Sequence, residues 1–357
     1  MEPRLYVATL ASLWLVINIA YKLYLQRAKF RNLSVDLKYW FLLIIKRQSS
    51  PAPSSKYRGT CIALSILLYA VASALAFYTL IYTLYSGLFM QVRGTVVLVP
   101  GLNITGEDLA FFLLAVGIAV SLHEYFHAKL ALKANIPIKS YGFALALIFP
   151  AAFVEIDESS FERAAKVAKV GILAAGVSIN LVLFGLSALL LNSIASPAGL
   201  TVVEVEEGGL AWASGIKQYD IIYSINNTEA TLTSLREYLS INRTVTLELE
   251  VYRPGVGFLS ITLVKVATVN RLGVYISLAP PRELASLVHP AGFITLFKLT
   301  YWNYVVNYSL VFLNALPLFI TDGGRVFREV LGDKLSKAVN TLVLIMLAVS
   351  LLVSLRL

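Results

Sequence analysis

His123, Glu124 and His127 stand in the stretch SLHEYFHAKLAL, residues 121–132, and match the pattern H-E-x-x-H. On a helix, side chains four apart share a face. Both imidazoles can then reach one zinc ion, and the glutamate beside the first can move the proton of an attacking water. The pattern is short, and a polar patch near a helix end would look the same. Two features weigh against the patch. The motif lies in a run apolar enough to cross a bilayer, where ionisable side chains are costly and mark function. These are also two of only three histidines in the chain.

Catalytic zinc takes three protein ligands and keeps one position open. If the run at 108–131 is a membrane helix, His123 lies roughly 20 Å from its start at about 1.5 Å per residue. The third histidine, His289, precedes a later apolar run and falls on the opposite side of the membrane. Asp322 follows that run, at a depth comparable with His123. Glu155, Asp157 and Glu158 are alternatives on the same side.

The elements that must carry these residues are membrane helices. The chain has 357 residues, 58% hydrophobic and 14% charged, where soluble proteins carry about 25% charged residues. Six runs are long enough to span: 5–25, 61–90, 108–131, 167–194, 294–319 and 337–355. The first follows Glu2 and Arg4 and has no small-residue cleavage site, so it reads as a retained helix. The stretch YWFLLIIK at 39–46 is shorter and reads as interfacial. The net charge of +9 sits in loops between apolar runs, which reports orientation and excludes nucleic-acid binding. The basic loop at 26–60 and the segments at 132–166 and 320–336 belong in the cytoplasm; the loop at 91–107, with only Arg93, belongs outside, as does 200–290. Cys61 is the sole cysteine, which excludes an intrachain disulfide and a cysteine zinc cluster.

Two segments break the helical pattern. YGFALALIFPAAFVEID, residues 141–157, is apolar but interrupted by Gly142 and Pro150. Non-helical backbone survives at membrane depth only when buried in protein or lining a cavity, so this is a re-entrant β-like segment. Residues 200–290 alternate apolar and polar positions between turn signals such as Asn226-Asn227 and Pro254-Gly255, as in a small domain of strands with one or two short helices. The expected fold is a polytopic α-helical membrane protein of about six transmembrane helices, with a re-entrant β-like segment and an inserted α+β domain. Its parts are 1–107, N-terminal helices and basic loop; 108–199 and 291–330, two halves of a catalytic core; 200–290, the inserted domain; and 331–357, a C-terminal helix.

NALPLFITDGGRV, residues 314–326, places Asn314, Pro317, Asp322, Gly323 and Gly324 at N-x-x-P-x-x-x-x-D-G-G, and GILAAGVSINLVL at 171–183 carries G-x-x-x-N with Gly176 and Asn180. With H-E-x-x-H in order before them, these motifs resemble the site-2 protease family of intramembrane zinc metalloproteases, most closely its eukaryotic-type branch. The likeness covers about 108–330 apart from the insert. The insert resembles a PDZ domain in its Gly215-Ile216, Asp220 and Ile221-Ile222 run, with Gln218-Tyr219 where Pro-Gly is common. The resemblance implies one Zn2+ per chain on His123, His127 and Asp322, with Glu124 as general base and acid. Asn180 and Asn314 become candidate substrate-binding residues, Asn180 also as a stabiliser of developing charge, and Pro317 shapes the segment presenting Asp322. It implies single-span membrane-protein substrates taken from the lipid bilayer in regulated intramembrane proteolysis, a cell-membrane location, an active site toward the cytoplasm, and a peptide at the PDZ-like domain. The alternatives are a membrane zinc peptidase with a glutamate third ligand and a non-catalytic membrane PDZ scaffold.

Overall fold

The computed structural model describes residues 3–25, 33–39, 41–48, 59–90, 100, 103–194 and 199–356. The chain divides into two compact units, Met1–Leu186 with Trp302–Leu357, and Ser187–Tyr301.

The first unit holds α1 (Pro3–Ala20), α2 (Gly59–Phe89), α3 (Gly106–Lys133), α4 (Glu158–Arg163), most of α5 (Lys166–Ile194), the end of α8 (Pro290–Ala315), α9 (Asp322–Leu331) and α10 (Asp333–Arg356). Four of these, α2, α3, α5 and α10, are long and apolar enough to cross a membrane, against six expected. α1 carries only the shorter apolar stretch Thr9–Tyr24. α8 has the length, at 26 residues, but Tyr301, Trp302, Asn303, Tyr304, Asn307 and Tyr308 interrupt its apolar run. The interfacial stretch at 39–46 turns out to contribute to a strand. Much of the basic loop, including Arg27, Lys29, Arg31, Lys56 and Arg58, lies outside the described residues, as does Arg93.

α5 is the centre of the bundle. Every residue from Lys169 to Ser178 is buried, and a helix buried on all sides has neighbours on all sides. Small residues let those neighbours come close. A side chain at Gly171 would meet Ile62 of α2 at 2.6 Å. Ser178 donates to the Ser65 carbonyl at 2.8 Å, and Ser65 to the Gly171 carbonyl at 2.9 Å.

Beside the helices lies a four-stranded antiparallel sheet in the order β1 (Leu33–Lys38), β2 (Leu42–Gln48), β3 (Ile138–Ala146), β4 (Phe149–Ile156). The β-like segment of the sequence is thus the β3–β4 hairpin. Its two interruptions have separate causes. Gly142 is opposite Lys46 on β2, and a Cβ there would overlap the Ile45 carbonyl oxygen. Pro150 sits on β4, the sheet's edge, where a missing N–H breaks no ladder bond. The Trp14 indole donates to the Leu147 carbonyl at 3.0 Å and ties α1 to the hairpin turn.

The second unit is a six-stranded antiparallel sheet with two short helices. Its strands are β5 (Leu200–Val205), β6 (Ile221–Ile225), β7 (Thr228–Glu229), β8 (Val245–Arg253), β9 (Gly257–Lys265) and β10 (Val274–Leu278), and its helices α6 (Leu210–Ala213) and α7 (Leu232–Ser240). The order is β10-β5-β6-β8-β9, with β7 paired to β6. Thr231 and Ser234 form a reciprocal capping box at the start of α7. Alternate positions of β8, Leu247, Leu249 and Val251, face a core that also takes Val202, Ile222 and Leu235.

Asp220, singled out by the sequence, is structural here. It is fully buried, accepts from Arg253 Nε at 2.8 Å and Nη2 at 2.7 Å, and caps the Lys217 amide at 2.8 Å. Those hydrogen bonds hold the Arg253 guanidinium pKa above its usual value. Removing one partner of such a pair costs about 3 kcal/mol, less here because Arg253 reaches solvent. Asp220→Ala should therefore weaken hydrogen-exchange protection of the β6 amides by about 2 kcal/mol, and leave α3 protection unchanged. Unchanged β6 protection would remove this role from Asp220.

Candidate metal centre

α3 places His123 and His127 one turn apart, with ring centroids 4.7 Å from each other. Both rings are oriented by α5. His123 Nδ1 is 3.1 Å from the side-chain oxygen of Asn180, and His127 Nδ1 is 2.7 Å from the Ile172 carbonyl. Those oxygens only accept, so each Nδ1 carries the proton and donates it. Each Nε2 is left with a lone pair.

Both lone pairs point at one carboxylate oxygen. Asp322 Oδ2 lies 2.9 Å from His123 Nε2 and 3.1 Å from His127 Nε2, and the two Nε2 atoms are 3.1 Å apart. Three electron-pair donors facing one point repel unless a cation lies among them. The set of two imidazoles and a carboxylate suits zinc. Gly176 forms the wall: a Cβ there would overlap both Nε2 atoms. Among the described residues, His123, His127 and Asp322 are the one group of His, Cys, Asp or Glu with ligand atoms all within 4.8 Å of one another.

Asp322 comes from a second segment that local sequence shapes in detail. α8 stops at Ala315, before Pro317. Thr321 then caps α9: its hydroxyl accepts from the Gly324 amide at 3.2 Å and donates to the Leu316 carbonyl at 2.9 Å. Asp322 is therefore the first residue of α9. The next two residues must be glycine because the α8 end folds onto them. A Cβ at Gly323 would come within 2.8 Å of the Asn314 carbonyl and 2.7 Å of the Ala315 carbonyl, and one at Gly324 would strike the Leu318 carbonyl. Tyr69 of α2 holds the same turn, donating to the Ala315 carbonyl at 3.1 Å.

Glu124 is not one of the three donors. Its Oε2 accepts the Val154 amide of β4 at 3.0 Å. Asn180 is fully buried; its oxygen is held by His123, and its amide nitrogen has no hydrogen-bond partner among the described residues. Asn314 enters through its backbone carbonyl, packed against Gly323.

The other acids and the third histidine are engaged elsewhere. Glu155 pairs with Lys46 at 2.6 Å and accepts from Ser140. Asp157 caps α4, accepting from the Ser160 amide at 2.8 Å, and Glu158 lies in the same helix's first turn. His289 Nδ1 accepts the Ala291 amide at 3.3 Å, and its ring packs on Tyr219. Sequence reasoning did not reach the Ile172 carbonyl or the Val154 amide, because backbone groups leave no residue-type signal. The Thr321 cap had one, a threonine three residues before Gly324.

An uncharacterized protein of Methanocaldococcus jannaschii is similar over 237 residues at 28% identity, a match covering 64% of this chain and 60% of that protein. The chain thus spans less than two thirds of that relative's length. The sequence model of Peptidase family M50, the site-2 protease family, matches residues 111–354, well over half of the chain, and the protein belongs to that family.

Proposed function

We propose that this protein is a zinc-dependent intramembrane endopeptidase that hydrolyses peptide bonds in or near transmembrane helices of single-span membrane proteins, in regulated intramembrane proteolysis. The observation that carries the reading is the convergence of His123 Nε2, His127 Nε2 and Asp322 Oδ2 on one point, beside a carboxylate, Glu124, that is not part of it. The family is one of intramembrane metalloproteases.

His123, His127 and Asp322 would hold the ion. When bound, it supplies Lewis acidity toward a substrate carbonyl and toward water. Glu124 takes a proton from the attacking water and delivers one to the amine nitrogen that leaves. Asn180 is a positioning residue for His123, and its unpaired amide hydrogens are suited to a substrate carbonyl or its developing charge. A helical substrate satisfies its own amides, so the scissile segment must first unwind. β4 offers an edge for it: Val154 and Ala152 direct their backbone groups away from β3, and an extended segment can pair there. The sequence reading further supports a PDZ-like domain over 200–290, outside the cell membrane and able to take a peptide, with the metal centre toward the cytoplasm. The glutamate-ligand alternative has less support, since Glu155 pairs with Lys46 and neither Glu155 nor Glu158 belongs to the three-donor cluster. The scaffold alternative leaves the convergence of His123, His127 and Asp322 without a use.

Three outcomes check this reading. Glu124→Gln should keep stoichiometric zinc by elemental analysis and lose about 10²–10⁴-fold in cleavage of a single-span reporter; substantial cleavage by this variant would sink the mechanism. Asp322→Ala should lose zinc, whereas Glu158→Ala should keep it; the opposite pattern would move the third ligand. Gly176→Ala should fold with unchanged helix content and bind zinc at least about tenfold more weakly, because its methyl would displace both imidazoles. Undiminished zinc affinity in that variant would put the ion elsewhere.

A further inference from the structure

We propose that Lys169 is a positioning residue: its ion pair with Glu329 sets where α9 lies along α5, and thereby where Asp322 meets the two imidazoles. The inference rests on the metal-centre reading above. Lys169 is 9% exposed, on a helix otherwise apolar for two turns beyond it. An ammonium in such surroundings is costly unless charges are brought to it. Two are. Glu162 of α4 lies 2.9 Å from Lys169 Nζ, and Glu329 of α9 lies 3.7 Å from it. The Phe161 ring lies under both Lys169, at 5.7 Å, and Arg325 of α9, at 5.8 Å.

The shorter pair is the weaker lever. The Glu162 side chain is 54% exposed, and exposed pairs contribute little. That of Glu329 is 17% exposed, so water screens its attraction much less. Lys166, one turn earlier, adds a hydrogen bond of 3.2 Å to the Val330 carbonyl, a cation at the end of α9 where the helix dipole is negative.

The spacing makes the pair a register mark. From Lys169 to Gly176, the wall of the metal centre, is seven residues of α5; from Glu329 to Asp322 is seven residues of α9. Each is two helical turns, about 10.5 Å. The helices run antiparallel, so the ion pair and the metal centre are the two ends of one alignment. α9 needs such a mark. It has ten residues, and a helix that short has little stability of its own. It joins α8 through the turn at Pro317 and α10 through the single residue Gly332. Metal ligands must be held within about 0.5 Å of their working position. A small slide of α9 would take Asp322 Oδ2 out of reach without unfolding anything.

The test measures zinc affinity of the full chain in detergent by competition with a chelating dye, beside thermal unfolding of the metal-free protein. Lys169→Met and Glu329→Gln should each weaken zinc binding about tenfold, the low end for residues behind the ligands. Lys169→Arg should keep parental affinity. Glu162→Gln, which removes the shorter pair but leaves the α9 arm, should stay within about twofold of the parent. Equal affinity in the parent, Lys169→Met and Glu329→Gln would overturn the proposal, as would an equal loss in Glu162→Gln. Glu329→Gln carries the test alone if Lys169→Met does not fold. A parent that binds no zinc would overturn the metal reading itself, a result distinct from tight binding by every variant.

Discussion

The Nδ1 protons of His123 and His127 are both committed to α5, one to the Asn180 side chain and one to the Ile172 carbonyl. That commitment turns two Nε2 lone pairs toward one point, and the rest of the first unit can be derived from it. α5 must lie close enough to α3 to receive both protons, which requires Gly176 opposite the rings. α5 must also be fixed from behind, which the Gly171 contact with Ile62 and the Ser65–Ser178 bonds to α2 achieve. Burial of α5 on every side is therefore a consequence of orienting two imidazoles, in addition to being a way to remove apolar surface from water.

The third donor at that point comes from neither α3 nor α5. It arrives on a helix that starts there. Starting a helix at the site has two advantages: the Thr321 cap fixes the backbone of the first turn, and the glycines after Asp322 let that turn press against the carbonyls ending α8. Backbone packing thereby holds the first turn of α9, while its other end meets α5 through the Lys169–Glu329 pair.

Side-chain chemistry was legible in the sequence where it had a fixed spacing. His123 and His127 four apart, Gly176 and Asn180 four apart, and Asp322 followed by two glycines are each visible as text, and the structure brings these groups together. The β3–β4 hairpin was legible as an apolar stretch that Gly142 and Pro150 forbid from being helical. The strand β2 was not. Its residues Leu42–Ile45 are apolar without alternation before Lys46, Arg47 and Gln48, and a short run of that kind does not distinguish a strand from an interfacial segment. α8 has the length of a span, but its tyrosines and asparagines lower the hydropathy of the helix. Ile172 and Val154 were beyond reach because what they contribute is a carbonyl and an amide that every residue possesses.

The Val154 amide also explains how an open sheet edge survives beside an apolar helix. Unpaired strand edges are costly away from water and invite pairing with other chains. Along β4 the outward positions are Pro150, Ala152 and Val154. Pro150 has no donor to leave unpaired. Val154 gives its donor to the Glu124 carboxylate, a charge-assisted bond stronger than an amide–amide one. The exposed edge is thus narrowed to the surroundings of Ala152, a small residue that leaves room for an incoming chain. The same hydrogen bond that quiets the edge fixes the Glu124 carboxylate beside β4. Edge protection and placement of Glu124 are one interaction, which is why the hairpin lies against α3 at Glu124.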